Sequence, residues 1–290
     1  MRIGLQVPSF EFPGGPEQIA PTFGRVARDA DQAGLHSLWV MDHFWQIPMV
    51  GPAEEPMLEG YSALAYAAAL TERITLGTMV TGVVYRHPGA LVKTVTTLDV
   101  LSGGRAWLGI GAAWFDEEAR GLGLPFPPVS ERYERLEETL QIARRMWEGD
   151  EKPFEGEHYR LERPLNSPQP IRRPHPPILV GGSGEKKTLR IVARYADACN
   201  IFDGPELPRK LEVLRGHCER EGRDYAEIEK TSLVSYQEPR PSVDQIVDTV
   251  GRHAEAGIDH VIVCQTTGQD LAGTLGEVLA RTEKIVPAGR

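Results

Sequence analysis

Apolar positions along the chain follow two alternating rhythms. Short, nearly continuous aliphatic or aromatic runs predict buried strands, and longer stretches with apolar side chains every three or four positions predict amphipathic helices. The first strand is expected over Arg2–Pro8. The helix Pro16–Ala33 follows, with Ile19, Phe23, Val26, Ala27 and Ala30 on one face and Gly34 at its stop. Further strands are expected at His36–Met41, Ile74–Thr81, Arg105–Ile110, Ile178–Val180, Ala198–Phe202, Lys230–Tyr236 and Asp259–Cys264. Helices are expected at Ala63–Leu70, Pro88–Leu101, Ser130–Trp147, from the Gly181-Gly182-Ser183-Gly184 turn to Tyr195, and at Glu206–Glu221, Val243–Ala256 and Leu271–Ile285. Ser130 stands as the N-cap of its helix, and Tyr133, Leu136 and Leu140 form a stripe directed at the core.

Eight strands, each followed by a helix, favour parallel βαβ units and an α/β fold: a closed (β/α)8 TIM barrel. A doubly wound open sheet is the alternative. No repeat or linker divides the chain, so residues 1–290 are expected to form one domain. An insertion after strand 4, near 111–177, holds a short polar helix around Phe115–Gly121, a small hairpin at Phe154–Leu161 and an extended run, Pro164–Pro177, with six prolines. The long loop from Asp42 to about Gly60 is of a length usually tied to function.

Composition narrows the function. A net charge of −9 disfavours non-specific nucleic-acid binding. Cys199, Cys218 and Cys264 show neither disulfide nor zinc-ribbon spacing. No apolar run reaches the ~18 residues of a membrane span, and the N-terminus has no signal-peptide pattern. A cytoplasmic protein acting on a small molecule is expected, without membrane or nucleic-acid partners.

In such a barrel the active site lies at the C-terminal strand ends. These fall at Gln6-Val7-Pro8-Ser9, Asp42-His43, Met79-Val80-Thr81-Gly82, Gly109 to Trp114, Gly181 to Gly184, Phe202-Asp203, Tyr236-Gln237 and Gln265-Thr266. Many are small, so a flat ligand fits close to the backbone. Few of these strand ends are paired carboxylates, and HxH, HExxH and GxSxG are absent, which disfavours a glycosidase, a zinc protease and an α/β-hydrolase, and no metal site is expected. His43, beside Asp42, is a candidate proton donor or acceptor. The glycine-rich turn at 181–184, with Glu185 and a helix behind it, is a candidate phosphate cradle, with Lys186 and Lys187 nearby. Trp45, Trp114 and Phe115 form either a ligand wall or the packing of a loop lid.

Several segments carry a family resemblance: Ser37-Leu38-Trp39-Val40-Met41-Asp42-His43, Leu76 to Thr81 with Arg86-His87-Pro88, Leu98 to Arg105, Leu108 to Trp114, Arg132 to Glu138, and Pro176 to Gly184. Together, in this order, the chain resembles the bacterial luciferase-like oxidoreductases, most closely the branch that uses coenzyme F420. That resemblance implies F420 (FMN as the alternative) lying across the strand ends. It implies Asp42 and His43 beside the ring, with His43 catalytic, and a cis peptide at Met79-Val80 backing the ring with Gly82. It further implies Ala112 and Ala113 close to the cofactor, Glu117 near its tail, and Gly181, Gly182, Gly184 and Glu185 around its phosphate. Trp45 and Trp114 would belong to the substrate pocket. A homodimer is also implied. The chain departs from the family's sugar-phosphate dehydrogenases, which carry a catalytic Glu where Trp114 stands. The competing functions are a hydride-transferring F420 oxidoreductase, a reduced-FMN monooxygenase and a non-catalytic flavin binder.

Overall fold

In a computed structural model, which describes residues 1–236, 241–265 and 271–288, eight parallel strands among the described residues close into a barrel. They are β1 (Arg2–Val7), β2 (Ser37–Val40), β3 (Thr75–Thr78), β4 (Ala106–Gly111), β5 (Ile178–Gly181), β6 (Ala198–Asn200), β7 (Glu229–Val234) and β8 (His260–Cys264). Pairing runs in sequence order around the ring, and two registers settle closure against the open-sheet alternative. Arg2 faces His260 between β1 and β8, and Leu76 faces Ala106 between β3 and β4.

The helices are α1 (Ile19–Gln32), α2 (Gly60–Ala68), α3 (Pro88–Ser102), α4 (Asp116–Gly121), α5 (Val129–Glu148), α6 (Thr188–Tyr195), α7 (Leu207–Glu221), α8 (Val243–Glu255) and α9 (Ala272–Thr282). Their form follows local chemistry. Pro88 opens α3 behind His87, whose ring accepts from the Gly89 N–H, and Ser242 and Gln245 make a reciprocal capping box on α8. The expectation that Ser130 caps α5 fails. The helix begins at Val129 after Pro128, so Ser130 lies inside the first turn. Helix α5 packs against α3 and α6 and therefore serves as the fourth barrel helix. The insertion proper is α4, the hairpin pairing Phe154–Glu155 with Arg160–Leu161, and the proline-rich run.

Two apolar layers follow from strand alternation. Outward side chains such as Ile3, Leu5, Leu38 and Leu108 join the helix faces in the main core. Inward side chains fill the barrel, with Trp39, Met79, Trp107, Leu179, Ala198 and Ile262 in one cluster. Trp39 and Trp107 meet edge to face, their centroids 5.8 Å apart. The barrel interior is thus plugged below its C-terminal mouth.

The third strand is shorter than the expected Ile74–Thr81. It stops at Thr78, the peptide Met79-Val80 is cis, and Thr81–Gly82 rejoin the sheet beside Ile110 and Gly111 of β4. Among the described residues no helix is long and apolar enough to cross a membrane. Gln237 and Thr266, expected at the last two strand ends, lie outside the described residues.

Candidate active site

A cavity of about 620 Å³ occupies the C-terminal mouth of the barrel. Its floor is built by strand ends. Gln6 from β1 is buried and its Nε2 donates to the Met79 carbonyl at 3.3 Å, which ties the cis turn to the barrel. The Val80 side chain rises between two strands that carry glycine where it passes. A Cβ on Gly111 or Gly181 would lie 3.0 or 2.8 Å from Val80 methyls. The glycines therefore make room for a bulge that projects into the cavity. Asn200, Leu233 and Cys264 complete the floor.

His43 stands on one wall. Its Nδ1 lies 2.9 Å from Oε2 of Glu118, a residue of α4 that is 0% exposed. Glu118 also accepts from the backbone N–H groups of Phe44 and Trp45 and from the Tyr85 hydroxyl. Burial alone would raise the Glu118 pKa. The hydrogen bonds from His43, Tyr85 and the Trp45 N–H outweigh that and hold the carboxyl below its ordinary value. Glu118 is therefore an ionised acceptor, Nδ1 of His43 carries a hydrogen, and Nε2 is left for the cavity. Tyr85, Trp114 and Phe115 surround the imidazole edge to face, at centroid distances of 6.2, 5.7 and 5.9 Å.

The opposite wall is the turn after β5. Gly182 has φ +122°, a conformation that L side chains rarely adopt, and its N–H donates to the Asn200 carbonyl. Ser183 and Gly184 continue the turn to Thr188, the first residue of α6. The Thr188 hydroxyl pairs with the Tyr133 hydroxyl at 2.8 Å, and both line the cavity. A Cβ on Gly184 would come within 2.9 Å of that threonine oxygen and 3.3 Å of the tyrosine oxygen. Between the two walls, Ala113 has φ +59°, a left-handed backbone that is uncommon outside glycine. Arg132 steadies this segment by donating to the Ala112 carbonyl.

Most expected site residues meet here: His43, Met79, Val80, Gly82, Ala112, Ala113, Trp114, Gly181, Gly182 and Gly184 all line the cavity. Four do not. Asp42 is buried behind the wall, where Arg86 grips both of its oxygens and also pairs with Glu59. Its role here is to fasten the end of β2. Glu117 is exposed on the outer side of α4, and its neighbour Glu118 is the carboxylate that turns inward. Glu185 pairs with Arg209 away from the turn. Trp45 packs over Gly121, where a Cβ would lie 2.1 Å from its ring. Tyr133 is corrected the other way. Leu136 and Leu140 are core, but Tyr133 reaches the cavity, because it sits nearest the start of α5. The ammonium of Lys187 lies over the Tyr133 ring, and Lys186 is exposed.

The loop from Asp42 to Gly60 is anchored rather than free. Glu118 fixes its first residues, and the buried Gln46 donates to the Pro8 carbonyl. At the other mouth of the barrel, ligand-type atoms of His36, Glu229 and His260 lie within 4.8 Å of one another. There Glu229 already pairs with Arg2 and His260, and His260 with Ser37.

Residues 1–236 match the family model described as luciferase-like monooxygenase. An uncharacterized protein of Mycobacterium tuberculosis is 32% identical over 252 residues, 82% of this chain and 84% of that protein. The F420-dependent glucose-6-phosphate dehydrogenase of Kineococcus radiotolerans is 33% identical over 229 residues, 74% of this chain and 64% of that protein. Among solved structures, an F420-dependent secondary alcohol dehydrogenase in complex with an F420–acetone adduct superposes with TM-score 0.80. It shares 18% identity, and the match covers 100% of this chain and 99% of that one. At that identity the likeness is one of fold.

Proposed function

Since this chain belongs to the luciferase-like monooxygenase family, we propose that it is an oxidoreductase that moves a hydride between coenzyme F420 and a small organic substrate, with His43 handling the accompanying proton. The observation that carries this reading is the pairing of His43 with the buried, ionised Glu118 on one wall, opposite a glycine cradle on the other.

The residues present fit a tricyclic cofactor with a phosphorylated tail. The Gly182–Gly184 turn is open where any side chain would fill it, and the Tyr133 and Thr188 hydroxyls flank it. These groups would hold the phosphate, with backbone N–H groups at the start of α6. Val80, Gly82 and the Gly111–Ala113 segment would back the ring, and Gln6 and Asn200 offer amide groups from the floor. When bound, a reduced deazaflavin supplies the hydride.

The protein supplies the rest. Glu118 fixes the ring orientation and tautomer of His43. A neutral Nε2 takes a proton from a substrate hydroxyl, and a protonated one gives it to a substrate oxygen. The aromatic rings around His43 keep water from competing for that proton.

The family description favours one alternative, a monooxygenase using reduced FMN. Titrating the purified protein in parallel with F420 and FMN, each oxidised and reduced, tests the choice. Tight F420 binding with weak FMN binding is the expected outcome. The reverse preference overturns the reading in favour of the monooxygenase, and binding of neither removes the cofactor claim altogether.

A further inference from the structure

The cavity is divided by chemistry. Its β5–β7 side carries Ser183, Thr188, Tyr133, Asn200 and Ser235, all able to hydrogen-bond. The side around His43 is different. Met41, Ile47 and Phe115 form a separate buried apolar cluster, with Val50 packed against it. Met41, Ile47, Met49, Val50 and Trp114 line the cavity there.

Among the described residues, the charged side chains packed around His43 are already committed. Glu118 accepts four hydrogen bonds behind the imidazole, and Arg86 is shared between Asp42 and Glu59. Among the described residues, no Lys, Arg, Asp or Glu lines the cavity. The rim is also apolar. Met49 is 72% exposed, Phe202 59% and Trp114 50%. Trp114 stacks on Phe115 at 5.1 Å and presents its other face at the mouth. A phosphate or carboxylate entering on this side would lose hydration and meet no cation among the described residues, whereas an alkyl or aryl body would cover surfaces now left to water.

The geometry points to an uncharged, apolar ketone or aldehyde, or the matching alcohol in the reverse direction, as the substrate class, with Trp114 as a specificity-determining residue. This rests on the hydride-transfer reading above. In the reductive direction the hydride goes from the reduced deazaflavin to the carbonyl carbon, and the C=O π pair becomes a lone pair on oxygen. His43 Nε2–H supplies the proton to that oxygen and is reprotonated from solvent. The deazaflavin ends oxidised by two electrons, and the product is the alcohol. The aliphatic body lies against Met41, Ile47 and Trp114.

The test is calorimetric binding of butan-2-one, hexan-2-one, octan-2-one and glucose 6-phosphate to the full-length protein, with and without oxidised F420. No turnover is involved, and F420 binding is measured separately. The ketones should tighten about fourfold for each buried methylene, and glucose 6-phosphate should bind roughly 100-fold more weakly than octan-2-one. Trp114→Ala should flatten the chain-length dependence, and Trp114→Phe should retain most of it. A flat series, or glucose 6-phosphate binding as tightly as octan-2-one, overturns the substrate class. If F420 binds in either case, the cofactor reading survives without it. If F420 fails to bind but the chain-length series holds, the apolar class stands and the cofactor reading falls.

Discussion

At the scale of single residues, the site turns on Glu118, a carboxylate that the sequence pattern does not single out and that neighbours Glu117, which the resemblance places near the cofactor tail. Glu117 and Glu118 are adjacent in sequence, and nothing in composition distinguishes them. Only the rotation of α4 decides that Glu118 faces His43 while Glu117 faces solvent. His43 itself was legible, because a histidine at a strand end of a barrel falls on the active face. Its partner was not, because the contact joins residues 75 positions apart through a helix six residues long. If Glu118 acts through His43, their effects are coupled. Glu118→Gln should lower kcat/KM about 100-fold, His43→Ala by a similar amount, and the double variant by little more than either. Multiplying losses in the double variant would show that Glu118 only supports the loop. Glu118→Gln also turns an amide NH2 toward one of two donor pairs, the Phe44 and Trp45 N–H groups at Oε1 or His43 Nδ1 and the Tyr85 hydroxyl at Oε2. It should therefore cost about 1–3 kcal/mol of stability, readable by denaturant titration.

At the scale of elements, strand and helix order was legible because apolar periodicity differs between the two. The ends were less so. The run Ile74–Thr81 is uncharged throughout, and periodicity cannot show that pairing breaks after Thr78 and resumes at Thr81. The resemblance, rather than the pattern, located the cis peptide at Met79-Val80. The turn after β5 was legible from its glycines, yet its two hydroxyl partners come from α5 and α6 and belong to no single motif. This turn makes a sharp prediction. Gly184→Val places a branched side chain against Thr188 and Tyr133, so the dissociation constant for the phosphorylated cofactor should rise at least about tenfold. Some stability should be lost as well, since the new Cβ would lie 2.9 Å from the buried Thr188 hydroxyl, so affinity is compared at a temperature where circular dichroism shows the variant folded. Unchanged cofactor affinity in a folded variant would move the phosphate elsewhere on the rim.

At the scale of the whole molecule, the barrel separates chemistry from stability. The C-terminal mouth holds the cavity. The N-terminal mouth is stitched by Arg2, Glu229, His260 and Ser37, which link β1, β7, β8 and β2 across the closure of the ring. His36 stands against His260, with ring centroids 5.1 Å apart. Burial, and then the neighbouring His260, push the His36 pKa down to about 4. Its ordinary value is 6.5, so below that pH the unfolded chain binds a proton that the folded protein refuses. Stability should therefore fall as pH drops from 6.5 towards 4, by at most one proton's worth, ~1.4 kcal/mol per pH unit. Glu229 acts lower. Burial alone would raise it, but the hydrogen bond and charge of His260, with Arg2, hold it at about 2 against an ordinary 4.5. Its contribution is complete above pH 4.5 and is lost as pH falls from there towards 2. Thermal melts between pH 3 and 8 should thus show two successive losses. His36→Gln should remove the upper one and leave the lower intact. A variant whose melting temperature falls as steeply as that of the parent between pH 6.5 and 4 would place the acid sensitivity outside this mouth of the barrel.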